Sequence, residues 1–200
     1  MSDFIDKLSD LTNEQIDTFR RVNVLDYVVG KLESGEIQAC EVEKFARITA
    51  RQGKDGEEVV TMMQNGLEET RNVVSLDEKT GEPGWIVTNP GGEQYIVSDS
   101  VFKKKYEIDP ENPEQYKPKG GPVLSVKVEE DIEFAAPWGE MMRIEAGGSL
   151  IVNGRNDIYG IQAKEFEDTY KSTGKAPREV VDELKKTIEY EKIVEGKSKN

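Results

Sequence analysis

The feature that most constrains the fold is a short unit that occurs twice in the second half of the chain. Ile86-Val87 is followed by Tyr95, Phe102 and Tyr106, and Ile151-Val152 by Tyr159, Phe166 and Tyr170. The last three positions share one spacing, seven and then four residues, and a glycine precedes each first strand, Gly84 and Gly148. Trp85-Ile86-Val87-Thr88 is β-branched and aromatic, Asn89-Pro90-Gly91-Gly92 is turn chemistry, and Gln94-Tyr95-Ile96-Val97 returns as the partner strand. Ser98-Asp99 then opens a short helix on which Phe102 and Tyr106, four apart, face one way. Each copy thus predicts two strands and a helix that lays an aromatic pair back on the sheet, with glycine allowing a close approach before the first strand.

Around this repeat the expected fold class is α+β: an N-terminal helical segment, an antiparallel β-rich core and a C-terminal helix. Residues 1–75 read as a helical cap or small bundle. Thr12-Asn13-Glu14-Gln15 has the form of a capping box, followed by Ile16, Phe19, Leu25, Val28, Val29 and Leu32 at helical spacing to Ser34-Gly35. A second helix is expected from Gly35 to about Gln52, with Ile37, Val42, Phe45 and Ile48 inward, and a third from Glu57 to Asn72 on Val59, Val60, Met63 and Leu67. Residues 76–172 form the β-rich core. It begins with a polar connector, is interrupted by a proline-rich loop over 107–121, and resumes as strands at 123–128, 132–135, 141–145, 149–153 and 158–161. Residues 173–200 form one amphipathic helix opened by Ala176-Pro177, with Val180, Val181, Leu184 and Ile188 as its stripe and a frayed tail.

Gly148-Ser149-Leu150-Ile151-Val152, Asp157-Ile158-Tyr159-Gly160-Ile161 and Glu165-Phe166-Glu167-Asp168-Thr169-Tyr170 together resemble the PGDYG family of small phage and prophage proteins. That family carries a Gly-Asp-Tyr-Leu-Val strand, a Tyr-Gly-Ile strand and a Phe-x-x-x-Tyr helix. Gly84 to Tyr106, with Gly92, Tyr95 and Phe102, resembles a second version. The resemblance spans about 84–171 and departs from the family at Ser149, where an acidic residue is expected. It implies a phage or mobile-element origin and a bacterial cytoplasm, and it brings no biochemical activity with it.

Composition narrows the chemistry. The net charge is −13, with −6 in residues 1–75 and −7 in the remainder, so no basic patch serves a phosphate backbone and direct nucleic-acid binding is not expected. Histidine is absent and cysteine occurs once, at Cys40, which removes imidazole or thiolate metal sites and any intramolecular disulfide. No cofactor is expected. Cys40 reads as a small core residue, because nothing nearby in sequence would activate a thiolate. Asp109, Glu111 and Glu114 lack the spacing and central glycine of a calcium loop, and Glu129-Glu130-Asp131 reads as an exposed turn. No apolar run is long enough to span a bilayer, no signal peptide opens the chain, and no motif specifies an oligomeric state.

The stretch Pro137-Trp138-Gly139-Glu140-Met141-Met142 puts a tryptophan on a tight turn beside two methionines. Trp138, Glu140, Met141 and Met142 are therefore the candidate contact residues, although covering one end of the barrel or sheet is the more ordinary role for the ring. Three readings of function follow. The first is a non-enzymatic, phage-encoded accessory protein that binds another protein. The second is an acidic inhibitor or nucleic-acid mimic of a host defence protein. The third is a carboxylate-dependent enzyme acting on a nucleotide or peptide.

Overall fold

The computed structural model describes residues 19–63, 66–136, 139 and 141–199. It divides into two compact units, one built from the described parts of 1–42, 123–163 and 172–200, the other from 43–122 and 164–171. Strands and helices are numbered in chain order.

In the first unit β1 (Arg20–Arg21) pairs in parallel with β11 (Ile132–Ala135), which pairs antiparallel with β12 (Met141–Ile144). A second sheet has the order β14 (Asp157–Ile161), β13 (Ser149–Gly154), β10 (Val123–Lys127), β2 (Ala39–Lys44), β15 (Tyr170–Ser172). The chain leaves this unit after Val42, re-enters it at Val123, leaves again after Ala163 and returns at Ser172. Helix α1 (Val24–Ser34) starts where the Asn23 side chain accepts the Asp26 N–H at 3.1 Å, and it ends at Gly35, whose φ of 74° is left-handed and cheap only for glycine. Its buried stripe, Val24, Val28 and Leu32, meets Val126, Phe134, Leu150 and Ile158 in one core. Helix α4 (Pro177–Thr187) adds Val180 and Leu184 to that core. Gly160 is required by packing, because a Cβ there would overlap the Ile144 side chain.

In the second unit β3 (Thr49–Gln52), β6 (Trp85–Thr88) and β7 (Gln94–Val97) form an antiparallel sheet in that order, accompanied by the hairpins β4 (Glu58–Met62)/β5 (Glu68–Val73) and β8 (Tyr106–Ile108)/β9 (Tyr116–Pro118). Helix α2 (Asp99–Lys105) follows β7, and α3 (Ala163–Thr169) belongs here from Lys164 onward. Phe102 stacks on Trp85 with centroids 4.2 Å apart and meets Tyr116 edge-on at 5.1 Å, closing a core with Ile48, Val87 and Tyr106.

An α+β chain is what the composition and turns predicted, and the strands expected after residue 84 are found to within a residue or two. The loop expected over 107–121 instead carries the hairpin β8/β9, whose backbone pairing brackets Pro110 and Pro113, and a further strand, β15, follows α3. The helical reading of 1–75 does not hold for the described residues. Only 24–34 is helical there, and 39–63 and 66–73 carry the strands β2 to β5. Val59, Thr61 and Met63 are buried while Glu58 and Met62 are exposed, a period of two hidden beneath apolar residues that also match a helical spacing. Their β-branched residues and the turn at Gly56, with φ of 84°, decide for hairpin. Thr12–Gln15 and Ile16 lie outside the described residues. The C-terminal segment is two helices, because Glu189 adopts a left-handed φ of 55° and breaks α4 from α5 (Tyr190–Ser198).

Candidate functional site

The most chemically loaded cluster of the second unit was not anticipated from sequence. The Lys44 side chain, at the end of β2, donates from Nζ to the Tyr95 hydroxyl at 2.8 Å, the Tyr106 hydroxyl at 2.8 Å and the Asn89 Oδ1 at 3.3 Å. The two hydroxyls lie 2.7 Å apart and hydrogen-bond to each other. Asn89, buried in the β6–β7 turn, donates from Nδ2 to Glu165 Oε1 on α3 at 2.7 Å. Five chain segments thus converge on one polar network.

Local structure explains how each side chain arrives. Asn89 sits where the hairpin reverses, its own N–H donating to the Glu93 carbonyl oxygen. Tyr95 is opposite Val87 in the β6–β7 register, and Tyr106 is delivered by α2 one turn after Phe102. Thr169 is buried and its hydroxyl donates to the Glu165 carbonyl oxygen at 2.6 Å, and the Phe45 N–H donates to the Thr169 carbonyl oxygen at 3.0 Å.

Burial lowers Lys44 from the usual lysine range to about 8; the Glu165 charge partly opposes this and the Lys105 charge adds to it. Burial likewise raises Glu165 to about 7, with Lys44 opposing and the Glu93 carboxylate reinforcing the shift. Burial also pushes both tyrosine hydroxyls up, so they stay protonated across the neutral range. An ammonium has three N–H bonds and finds three acceptors here. The neutral amine instead takes a hydroxyl proton on its lone pair. A lysine and a carboxyl that both titrate near neutrality are the raw material of proton transfer. Neither lines the open depression along Arg20, Tyr27 and Lys31 in the first unit or the one along Phe45, Arg47 and Pro90 in the second. The groups bind one another, as a buried polar network does when its role is to hold chain segments together.

The residues singled out from sequence fare variously. Tyr95 and Tyr106 enter the network through their hydroxyls, Trp85 and Phe102 build the aromatic core beside it, and Gly92 takes a left-handed φ of 94° in the turn. Phe166 and Tyr170 are half-buried and stack on each other at 5.5 Å. Tyr159 is half-buried against the core of the first unit, where Gly148 and Gly160 are packing positions. Trp138 and Glu140 lie outside the described residues; Met142 is a core residue opposite Phe134, and Met141 is half-buried at the strand end. Cys40 is half-buried on β2, its Sγ 3.4 Å from the Ser172 Oγ. Asp109 is engaged by the Arg47 Nε at 2.6 Å and the Glu111 N–H at 3.0 Å, and no group of three His, Cys, Asp or Glu side chains is placed to hold a metal ion among the described residues. Lys44, Asn89 and Glu165 were missed because each sits in a stretch with an ordinary local reading: a charged run, a turn and a solvated helix face.

No helix among the described residues is long and apolar enough to cross a membrane. No family model, curated protein or solved structure matches this chain.

Proposed function

We propose that this chain is a non-enzymatic accessory protein that binds another protein, and that it comes from a phage or other mobile element and works in a bacterial cytoplasm. The observation that carries the binding reading is the open depression on the second unit. Its lining includes Phe45, which is 43% exposed, beside Arg47, Pro90, Asn112 and Gln115. An aromatic ring left in the open next to an arginine held by Asp109 has the make-up of an interface anchor. A net charge of −13 favours a basic partner by complementarity and by steering. The same charge motivates the reading as an acidic inhibitor or nucleic-acid mimic, which would bind through charge alone.

The phage context rests on the resemblance over about 84–171 and on reading the two hairpin–helix segments as one unit used twice. A constant offset of 64 residues relates Gly84 to Gly148, Tyr95 to Tyr159, Phe102 to Phe166 and Tyr106 to Tyr170. The hairpins are in equivalent register, Val87 opposite Tyr95 and Ile151 opposite Tyr159. A Cβ on Gly84 would come within 3.1 Å of the Val97 carbonyl oxygen, and one on Gly148 within 2.8 Å of that of Ile161, again 64 residues on.

Affinity capture from host lysate with the full chain and with Phe45→Ser tests the reading. The expected result is a partner whose capture falls at least about tenfold in the variant, while unfolding of the variant is unchanged. Capture that ignores Phe45 but disappears at high salt would favour the charge mimic. Turnover of a nucleotide or peptide that is lost in Glu165→Gln would contradict the non-enzymatic reading.

A further inference from the structure

Helix α3 enters the second unit as part of a short excursion, residues 164–171. The Asn89 side-chain amide bonds Glu165 there, the Phe45 N–H donates to the Thr169 carbonyl oxygen, and β15, which follows the helix, pairs with β2. The groups facing Glu165 come from every neighbouring element. Lys44 approaches from β2, Glu93 from the β6–β7 turn, Tyr95 from β7, and Tyr106 from the end of α2. On its own helix Lys164 is taken by Asp168 at 2.6 Å, and Glu167 is exposed.

Two carboxyl groups, Glu93 and Glu165, therefore meet from separate elements in a half-buried setting, and one Glu93 oxygen, Oε2, is buried with no hydrogen-bond partner. Lys44, which opposes Glu165, already has its three N–H bonds committed to Tyr95, Tyr106 and Asn89, and Lys164, the cation that feels Glu93, is held by Asp168. Like charges that converge where water is scarce repel, and the arrangement is relieved when one of them holds a proton.

We propose that α3 is a proton-dependent clasp, docked most firmly on the second unit when Glu165 is protonated and loosened when Glu165 ionises. Because Glu165 titrates near 7 when docked and in the ordinary carboxyl range when free, docking is firmest at acidic pH. It weakens as pH rises from about 4.5 and levels off above about 7. Asp168, on the same helix, lines the depression that holds Phe45, so loosening the clasp removes part of one wall of that surface. The clasp stands on the geometry of α3 and does not depend on what the depression binds.

Amide hydrogen exchange of the full chain from pH 4.5 to 8.5, corrected for intrinsic exchange, tests the clasp, with 24–34 of α1 as reference. Protection of 164–171 relative to the reference should fall at least about tenfold between pH 5 and 7 and then level off. Glu165→Gln, which keeps the Asn89 acceptor, should hold its protection without that fall. Glu93→Gln should make the fall smaller and move its end to lower pH, because a repelling charge is gone. Protection of 164–171 that is independent of pH in the wild type, or the same fall in Glu165→Gln, would overturn the proposal.

Discussion

The Lys44 ammonium and the Glu165 carboxyl are joined through one amide: Asn89 accepts from the first at 3.3 Å and donates to the second at 2.7 Å. A single turn residue of the β6–β7 hairpin therefore connects β2 to α3, two segments far apart in sequence.

Asn89→Ala removes both halves of that bridge and leaves Lys44 and Glu165 each short of a partner in a poorly solvated setting. Unsatisfied buried polar groups are costly, so the variant should lose about 1–3 kcal/mol in urea unfolding. A change near zero would show that water replaces the amide without penalty.

Lys44 titrates near 8 when folded and in the ordinary lysine range when unfolded. A depressed lysine contributes stability that is present above the unfolded value, near 10.5, and is lost as pH falls through about 8. Between pH 8 and 10 the wild type should therefore gain stability with rising pH relative to Lys44→Met, by up to about 1 kcal/mol per pH unit. Urea midpoints across that window measure the slope, and parallel curves for the two proteins would refute it.

Phe102 and Phe166, 64 residues apart, should behave differently. Phe102 is buried between Trp85 and Tyr116, so Phe102→Ala should cost about 3–5 kcal/mol. Phe166 is half-buried and stacks on Tyr170, and its loss should cost about 1–2 kcal/mol. Equal denaturant midpoints for the two variants would contradict the difference in burial.

Helix α2 is capped from a distance. Its N-cap residue, Ser98, makes no side-chain cap bond, whereas Asp77 in the polar connector accepts the Ser100 N–H at 2.6 Å and the Lys79 N–H at 2.7 Å. The Ser100 hydroxyl first, and then these two N–H bonds, hold the Asp77 carboxyl down at about 2, so its contribution is present above the ordinary aspartate value and is lost as pH falls toward 2. Asp77→Ala should weaken protection of the 99–105 amides by about 1 kcal/mol in hydrogen exchange at neutral pH. Unchanged protection would mean the cap does not stabilise the helix.

How much of this was legible from the residues follows from what each signal measures. The hairpin at 85–97 was readable because Asn-Pro-Gly-Gly and flanking β-branched residues are local signals, and the Gly35 helix stop is local too. Residues 57–72 were misread because Val59, Val60 and Met63 satisfy a helical spacing and a strand alternation together, and tertiary pairing decides between them. The network was invisible because Lys44, Asn89 and Glu165 lie 45 to 121 residues apart, and nothing in the sequence around any of the three reports burial. Tyr95 and Tyr106 were found as aromatic packing residues, while their hydroxyls became informative only with Lys44 beside them.

The most direct measurement of the central claim is an NMR titration of the Glu165 side-chain carboxyl and the Lys44 side-chain amine in the intact chain. The account predicts a carboxyl that titrates at about 7 and an amine at about 8, with the carboxyl value moving down in Glu93→Gln. A Glu165 that titrates with ordinary glutamates together with a Lys44 that titrates with ordinary lysines would show that the five side chains do not form the closed network described.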